Sequence, residues 1–400
     1  MGIAQLPRNL NRHQSMWDIS SLQLAKLQFF SSLSFFSVFG LCSVALGWLL
    51  LLSKCMTHGR QADSRWMDLY RFWVRIFALT MTVALMGMVF LLIQAGSLWP
   101  NLFVRLGSVI GPLVVLVASM TFVIKLFVID VMLYRQGSLA SWLHSVFVLL
   151  SVLGLTAIAV LLIGFQSWLQ FPAGLTPDTL PLGLTDWRAL VLHPQAWHRI
   201  LFMTALACLG TGALMISISA SEALGKPLNA AEQLGFRVGA ILTPVALVTS
   251  VIAGFLFRKE LFRDIDALPM SAQLTGKLLL GLLVLLALAC LAQWLWYLKR
   301  HSEFGRMPRR LLQGLVWTGP AAWAVLWLTQ MLMSLRDGQF FLHQAITFAE
   351  AFSEAGPLVI SGVMLVMWLV FAVILAGFVF LSLRAARYGV VPVRKIRRTA

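Results

Sequence analysis

Seven histidines, four cysteines and fifteen acidic residues are the side chains of this chain that could ligate a metal, move a proton or attack a substrate. Histidine is the usual axial ligand where a helical bundle holds haem. Only His144 falls inside a long apolar run, near one end of the fourth. His193 and His198 precede or open the fifth. They are five apart, off the i, i+4 spacing that stacks two ligands on one helix face, and Pro194 stands between them. His144 and His198 belong to opposite membrane faces, so they do not form an axial pair. The cysteines show no C-x-x-C spacing, which removes a zinc site, a thioredoxin motif and c-type haem attachment. No Ser/His/Asp constellation, Walker loop or H-E-x-x-H is present. The GTGA at 210–213 reads as small-residue helix packing. No metal site is expected.

Ionisable groups inside a membrane cost several kcal/mol and point to function by default. Two qualify by position, Lys125 and Asp130, both toward the inner end of the third apolar run. As a functional pair they would mark the mouth of a proton or ion path. As a structural pair, Lys125 would snorkel and Asp130 would offset it or Arg135 at the interface.

The elements that must position these groups follow from composition. Hydrophobic residues make up 60% of the chain and charged residues 12%, with mean hydropathy +0.86. Soluble domains carry about a quarter charged residues. The pattern is therefore an all-α polytopic membrane bundle. Runs long enough to cross a bilayer fall at about 29–53, 72–96, 106–133, 142–168, 200–221, 236–257, 278–298, 314–334 and 357–383. Pro112, Pro244 and Pro320 lie within runs and are expected to kink them. Lys and Arg number 19 in one set of alternate loops and 11 in the other. The richer set faces the cytoplasm, so the N-terminus lies outside and the C-terminus inside. The net charge of +16 is this topology signal, not a nucleic-acid footprint. The chain reads as one transmembrane domain over 1–400, with an outer segment at 1–28 and a basic cytoplasmic tail at 384–400. A bacterial inner membrane is the expected location.

The order of features resembles subunit I of the cytochrome bd quinol oxidases. KLQFFSSLSFFSVFG (26–40) is similar to that family's first helix after its L-Q-F start. RFWVRIFALTMTVALMG (71–87) and IQAGSLW (93–99) are similar to its second helix and Q-F-G-x-N-W ending. DWRALVLHPQAWHRILFMTALACLGTGALMISISA (186–220) looks like its outer segment and fifth helix. The resemblance implies a nine-span fold, a haem-bearing quinol oxidase activity and a second membrane subunit.

The same resemblance places the family's ligands on residues that cannot serve. The first helix's axial histidine falls at Phe36 and the fifth helix's at Phe202 or Met203. The second helix's glutamate falls at Leu92. The third helix's two glutamates fall near Gly111 and Ser119, and the seventh helix's methionine near Leu278. No haem is expected on this reading. Haem b or d would require non-standard ligands, for which His198, Met203 and His144 are the candidates. Phe29, Phe30, Phe35, Phe36 and Phe39 are expected to fill the vacated space, and a large cavity beside Phe36 would count against that.

The implied role is a non-catalytic or accessory subunit of a respiratory membrane complex. Its partner would be another helical subunit, either subunit II or an intact subunit I relative, with lipid or quinone as a further occupant. The alternatives are an active quinol:oxygen oxidoreductase subunit with unusual ligands, and a transporter or channel.

Overall fold

A computed structural model describes residues 21–388 apart from 58–63, 137, 177–181, 185, 262–269, 300–306, 336–339, 344 and 354–356. Among the described residues nine helical passes are long and apolar enough to cross a membrane. They are α1 (Ser21–Met56), α2 (Ser64–Leu98), α3 (Pro100–Leu126, extended by a π-helical stretch Phe127–Tyr134) and α4 (Ser141–Gln170). After the short α5 (Arg188–Leu192) come α6 (Pro194–Ala223) and α7 (Ala230–Leu256). The short α8 (Arg258–Leu261) precedes α9 (Met270–Lys299). α10 (Arg309–Val316) and α11 (Thr318–Leu335) together make the eighth pass. The short α12 (Phe348–Ala351) then leads to α13 (Pro357–Tyr388). Two antiparallel strand pairs decorate the outer side: β1 (Leu175–Thr176) with β2 (Gly183–Leu184), and β3 (Phe340–Leu342) with β4 (Ile346–Thr347).

The helices outrun the apolar windows. α1 begins at Ser21, so residues 21–28 of the expected outer segment are helical and continuous with the first pass. The remainder of that segment, residues 1–20, lies outside the described residues. α13 likewise runs to Tyr388 and takes in the start of the basic tail, whose residues 389–400 lie outside the described residues. Backbone groups in hydrocarbon must bond internally, which makes helix the only answer across the core. Nothing stops the helix at the headgroups, so polar turns continue it.

Polar side chains inside the passes turn back on their own helix. In α1, Ser32, Ser34, Ser43 and Ser53 donate to the carbonyls of Gln28, Phe30, Phe39 and Leu49. α1 and α6 form the centre. α2 packs along α1, α7 along α6, and α11 against α6, α9 and α1. The small residues of 210–213 do pack a helix. A Cβ on Gly212 would lie 2.7 Å from Thr243 Oγ1, and one on Gly239 would lie 2.8 Å from the Gly212 carbonyl oxygen.

The three prolines act differently. α3 and α7 run through Pro112 and Pro244 without a break. The eighth pass breaks at Trp317. Pro320 has no N–H to give the Val316 carbonyl, which would be its partner in a continuous helix. Ser217 of α6 donates its hydroxyl to that carbonyl instead. Thr318 caps the Leu315 carbonyl at 2.7 Å. The break is therefore satisfied by the neighbouring helix, as buried backbone groups require.

Candidate functional site: an aromatic-walled cavity with a polar end

The first helix carries phenylalanines on two faces, and they do different things. Phe35 stacks on Phe371 at 4.4 Å, and Phe39 meets Trp323 and Phe378 edge-on at 4.8 and 5.2 Å. That face is filled. Phe29, Phe30 and Phe36 instead line a cavity of about 190 Å³ between α1, α2, α3 and α4. A second cavity of about 80 Å³ adjoins it toward mid-membrane and shares Phe36, Met88, Val117, Leu162 and Gln166 as walls. The expectation that the phenylalanines fill this space is thus wrong for Phe36. Gly87 explains why: a Cβ there would lie 3.3 Å from Phe36 Cα, so α1 is clamped against α2 at this point. The Phe36 ring cannot sink further toward α2 and remains at the cavity wall.

The roof is an aromatic cluster at the outer end. Trp99 meets Phe29, Phe341, Phe348 and Phe352 at 5.6–5.9 Å between ring centroids. The β3–β4 pair brings Phe341 into it, and Lys26 lays its ammonium 4.1 Å from the Phe348 ring centre.

One side of the larger cavity is polar. α4 presents Gln166 and Gln170, four apart and so on one face. α6 contributes Arg199 and α11 contributes Ser334. Arg199 donates to Gln170 Oε1 at 3.3 Å, and Gln170 donates to the Met333 carbonyl at 3.2 Å. Gln330 of α11 donates to Gln166 Oε1 at 2.9 Å, at the boundary between the two cavities. Arg199 and Gln330 are each 3% exposed. Arg199 stands one residue before the apolar run that begins at about 200, so hydropathy alone leaves it outside the span. The signal was there: α6 starts at Pro194, a favoured first helical residue, with His193 as N-cap. Arg199 then falls in the second turn rather than in a loop.

The sequence-predicted site residues scatter. Leu92 lines the larger cavity, Met203 the smaller, and Phe36 both. Phe202 turns the other way, under Gly254 of α7. Gly111 faces open space, Ser119 is exposed, and Leu278 is 54% exposed, lining neither cavity. His198 stacks flat on Phe257 at 4.2 Å, facing the α7–α8 junction. His144 lies at the inner end, 1% exposed and 5.6 Å from the Tyr70 ring. Neither of its ring nitrogens completes a well-formed hydrogen bond, although Lys54 and the Val131 backbone are within electrostatic reach. Asp130 pairs with Arg135 at 3.0 Å on an exposed surface. Lys125 is half-buried one turn and a half earlier.

Buried charge occurs where the sequence reading placed none. Glu222, at the inner end of α6, is 7% exposed, and Lys54, at the end of α1, is 2% exposed. Glu222 borders a cleft of about 510 Å³ at the inner face, with Arg65, Asp68, Asn229 and Glu232 among its other walls. Both residues lie just past the apolar windows, where helix packing continues beyond the hydrocarbon.

The cytochrome bd terminal oxidase subunit I family model matches residues 24–267. The chain belongs to this family. Among its relatives, cytochrome bd-II ubiquinol oxidase subunit 1 of Escherichia coli (strain K12) is 23% identical over 243 residues. That match covers 60% of this chain and 46% of the relative. Cytochrome bd ubiquinol oxidase subunit 1 of Bacillus subtilis (strain 168) is 23% identical over 209 residues, covering 52% and 44%. The chain spans about half the length of the curated relatives it matches. Its fold is that of the bd oxidase from Geobacillus thermodenitrificans, with a TM-score of 0.80 over 92% of this chain and 99% of that one, at 14% identity. Like other subunit I proteins, this one is a multi-pass inner-membrane protein.

A bd-type subunit I implies haem, and the cavities are where donors would have to converge. An iron needs axial side chains with lone pairs to give. Phe36 and Leu92 have none, and Met81, Met88 and Met203 offer only thioethers. Among the described residues no histidine lines either cavity, so these walls do not fit a histidine-ligated haem.

Proposed function

We propose that this chain is a non-catalytic or accessory subunit of a bd-type respiratory membrane complex, keeping the subunit I frame without its redox centres. The observation that carries this reading is the wall of the two cavities. Phe36 and Leu92 bring hydrocarbon to those walls and Met81, Met88 and Met203 bring thioethers, with no histidine among the described lining residues. The frame around them is intact, so the change lies in chemistry and not in folding. Its partner would be a second helical membrane subunit, subunit II or an intact subunit I relative. Long apolar faces of α3, α9 and α13 point outward, with Val104, Leu280 and Val373 each more than 60% exposed, and would meet either that partner or lipid. The whole of residues 1–400 would act as one transmembrane domain.

A second reading has one observation in its favour. Met203 is 1% exposed and lines the smaller cavity together with Phe36. A thioether there could hold one side of an iron in an active quinol:oxygen oxidoreductase. It would need a donor opposite; His198 and His144 are turned elsewhere, which leaves the thioethers of Met81 and Met88 on the same walls. The test is a pyridine haemochrome assay and visible spectrum on the purified full-length protein. The accessory reading expects no porphyrin. Porphyrin in whole-number ratio, lost in Met203→Leu, would establish the oxidoreductase reading instead.

A further inference from the structure

We infer that the cleft at the inner face, beside Glu222, is the docking site of the chain's own basic tail, residues 389–400, with an arginine or lysine of 394–398 pairing with Glu222. The inference is independent of whether haem is present. Three observations carry it.

First, Glu222 is a buried carboxylate without a cation. It is 7% exposed, and among the described residues its side chain makes no hydrogen bond or ion pair. Only its main chain is used: the Glu222 carbonyl accepts from the Gly225 and Lys226 amides. Lys226 is within electrostatic reach, but its ammonium pairs with Glu232 at 2.9 Å. Asp68 is paired too, with Arg71 at 3.3 Å. Glu222 is the penultimate residue of α6, where the last carbonyls of a helix repel an anion and favour a cation. A charge buried there is costly unless it is paired.

Second, the cleft has room for a long basic side chain. It holds about 510 Å³, and Ser219, Ala230 and Gly235 keep its walls low beside Glu222. Phe72 and Trp73 add aromatic surface, on which a guanidinium stacks well.

Third, α13 delivers the tail to this place. Ala386 of α13 lines the cleft, and the helix ends at Tyr388. Residues 389–400 carry Arg394, Lys395, Arg397 and Arg398 and no acidic residue. Arg394 follows Ala386 by eight residues, which extended chain spans to about 26 Å at most. The tail therefore reaches the cleft beside which it starts. Tethering also gives its cations an effective concentration on the order of millimolar, an advantage over any free amine of the same chemistry.

The full-length protein is reconstituted in nanodiscs of neutral phosphatidylcholine, which leave both faces open. Tryptic cleavage after Arg394, Lys395 and Arg397 is followed by mass spectrometry. Its rate tracks the undocked fraction when docking is fast. Glu222→Gln keeps the shape of the side chain and removes its charge. It is expected to speed tail cleavage about tenfold or more over wild type, as the loss of a charge-assisted bond does. Asp130→Asn removes one charge from the same face outside the cleft and is expected to cleave as wild type. Carbodiimide coupling of the wild-type protein needs no variant to fold, and Lys395 is expected to link to Glu222, Glu232 or Asp68. Equal cleavage of wild type and Glu222→Gln would overturn the inference, and so would a Lys395 linked to none of these three acids. An anionic bilayer is the competing partner for a basic segment. Cleavage slowed only on adding phosphatidylglycerol, and unchanged by Glu222→Gln, would assign the tail to the lipid surface and overturn the inference as well.

Discussion

The crossing of α6 and α7 gives the sharpest test of how this bundle holds together. At Gly239 an added Cβ would sit 2.8 Å from the Gly212 carbonyl oxygen, 2.9 Å from Met215 Cβ and 3.2 Å from Ile216 Cγ1. Carbon atoms pack best at about 3.5–4.0 Å. The nearest obstacles are backbone and a Cβ, which cannot rotate away. Gly239→Ala must therefore push the two helices apart by several tenths of an ångström and loosen their whole contact. Overpacking of this kind costs about 1–3 kcal/mol. Alanine also favours helix over glycine by about 1 kcal/mol. Gly377→Ala on α13 isolates that gain, because a Cβ there meets nothing within 4 Å. The two variants should therefore differ by about 1–3 kcal/mol, a factor of roughly 5 to 150 in the unfolding equilibrium. The assay is SDS-induced unfolding in mixed micelles, followed by tryptophan fluorescence and far-UV circular dichroism. Gly239→Ala should unfold at lower SDS than wild type, and Gly377→Ala at equal or higher SDS. Coincident midpoints for the two variants would refute the claim that backbone approach at Gly212 sets this crossing.

Three further outcomes follow from particular contacts. Ser217→Ala should cost about 1–3 kcal/mol in the same unfolding assay, because it strips the Val316 carbonyl of its donor. Pro320→Ala added to it should recover part of that loss, since residue 320 can then donate to Val316, and no recovery would refute this account of the break. His144→Leu should leave stability within about 1 kcal/mol of wild type, since it removes a buried ring without a completed hydrogen bond for an apolar side chain of similar size. A visible band lost on that change would make His144 a ligand. Lys226 donates to Glu232 at 2.9 Å, and this bond holds its ammonium above the ordinary value of 10.5. Its contribution is present below that pH and fades as pH rises through the raised value. Glu232→Gln should flatten the alkaline limb of the stability profile without moving the neutral plateau much, because Lys226 is 42% exposed.

The nine passes were legible because a bilayer imposes a length, about twenty apolar residues, that few other structures need. Helix ends were less so. Hydropathy reports where hydrocarbon stops, not where hydrogen bonding stops, and α1 and α6 begin eight and six residues before their apolar windows. That gap hid the site. Arg199, Lys54 and Glu222 lie in the polar turns beyond the windows and are buried there by neighbouring helices. The π-helical stretch that carries Asp130 has no reading in residue type alone. Pro320 was visible as a breaker, but its remedy, a serine on another helix 103 residues earlier, is a matter of tertiary packing. The cavity was invisible for the opposite reason. Five phenylalanines in one helix suggest volume to spare, yet their spacing divides them between two faces, and Gly87 fixes which face of α1 meets α2.

On the accessory-subunit proposal, that division also explains how a subunit I frame could outlast its ligands. The contacts that place the helices are not the ones a redox centre uses. Gly87 locates the backbone of Phe36 whatever side chain residue 36 carries, since the close approach is to its Cα. Gly212, Gly239 and Thr243 locate α7 on α6, and the Trp323 indole donates to the Gly210 carbonyl at 3.1 Å to locate α11. Trp327 does the same from α11 to the Ser31 carbonyl of α1 at 3.2 Å. Each of these bonds joins a side chain or a missing side chain to main chain. A ligand position can therefore drift from donor to hydrocarbon without moving the helices.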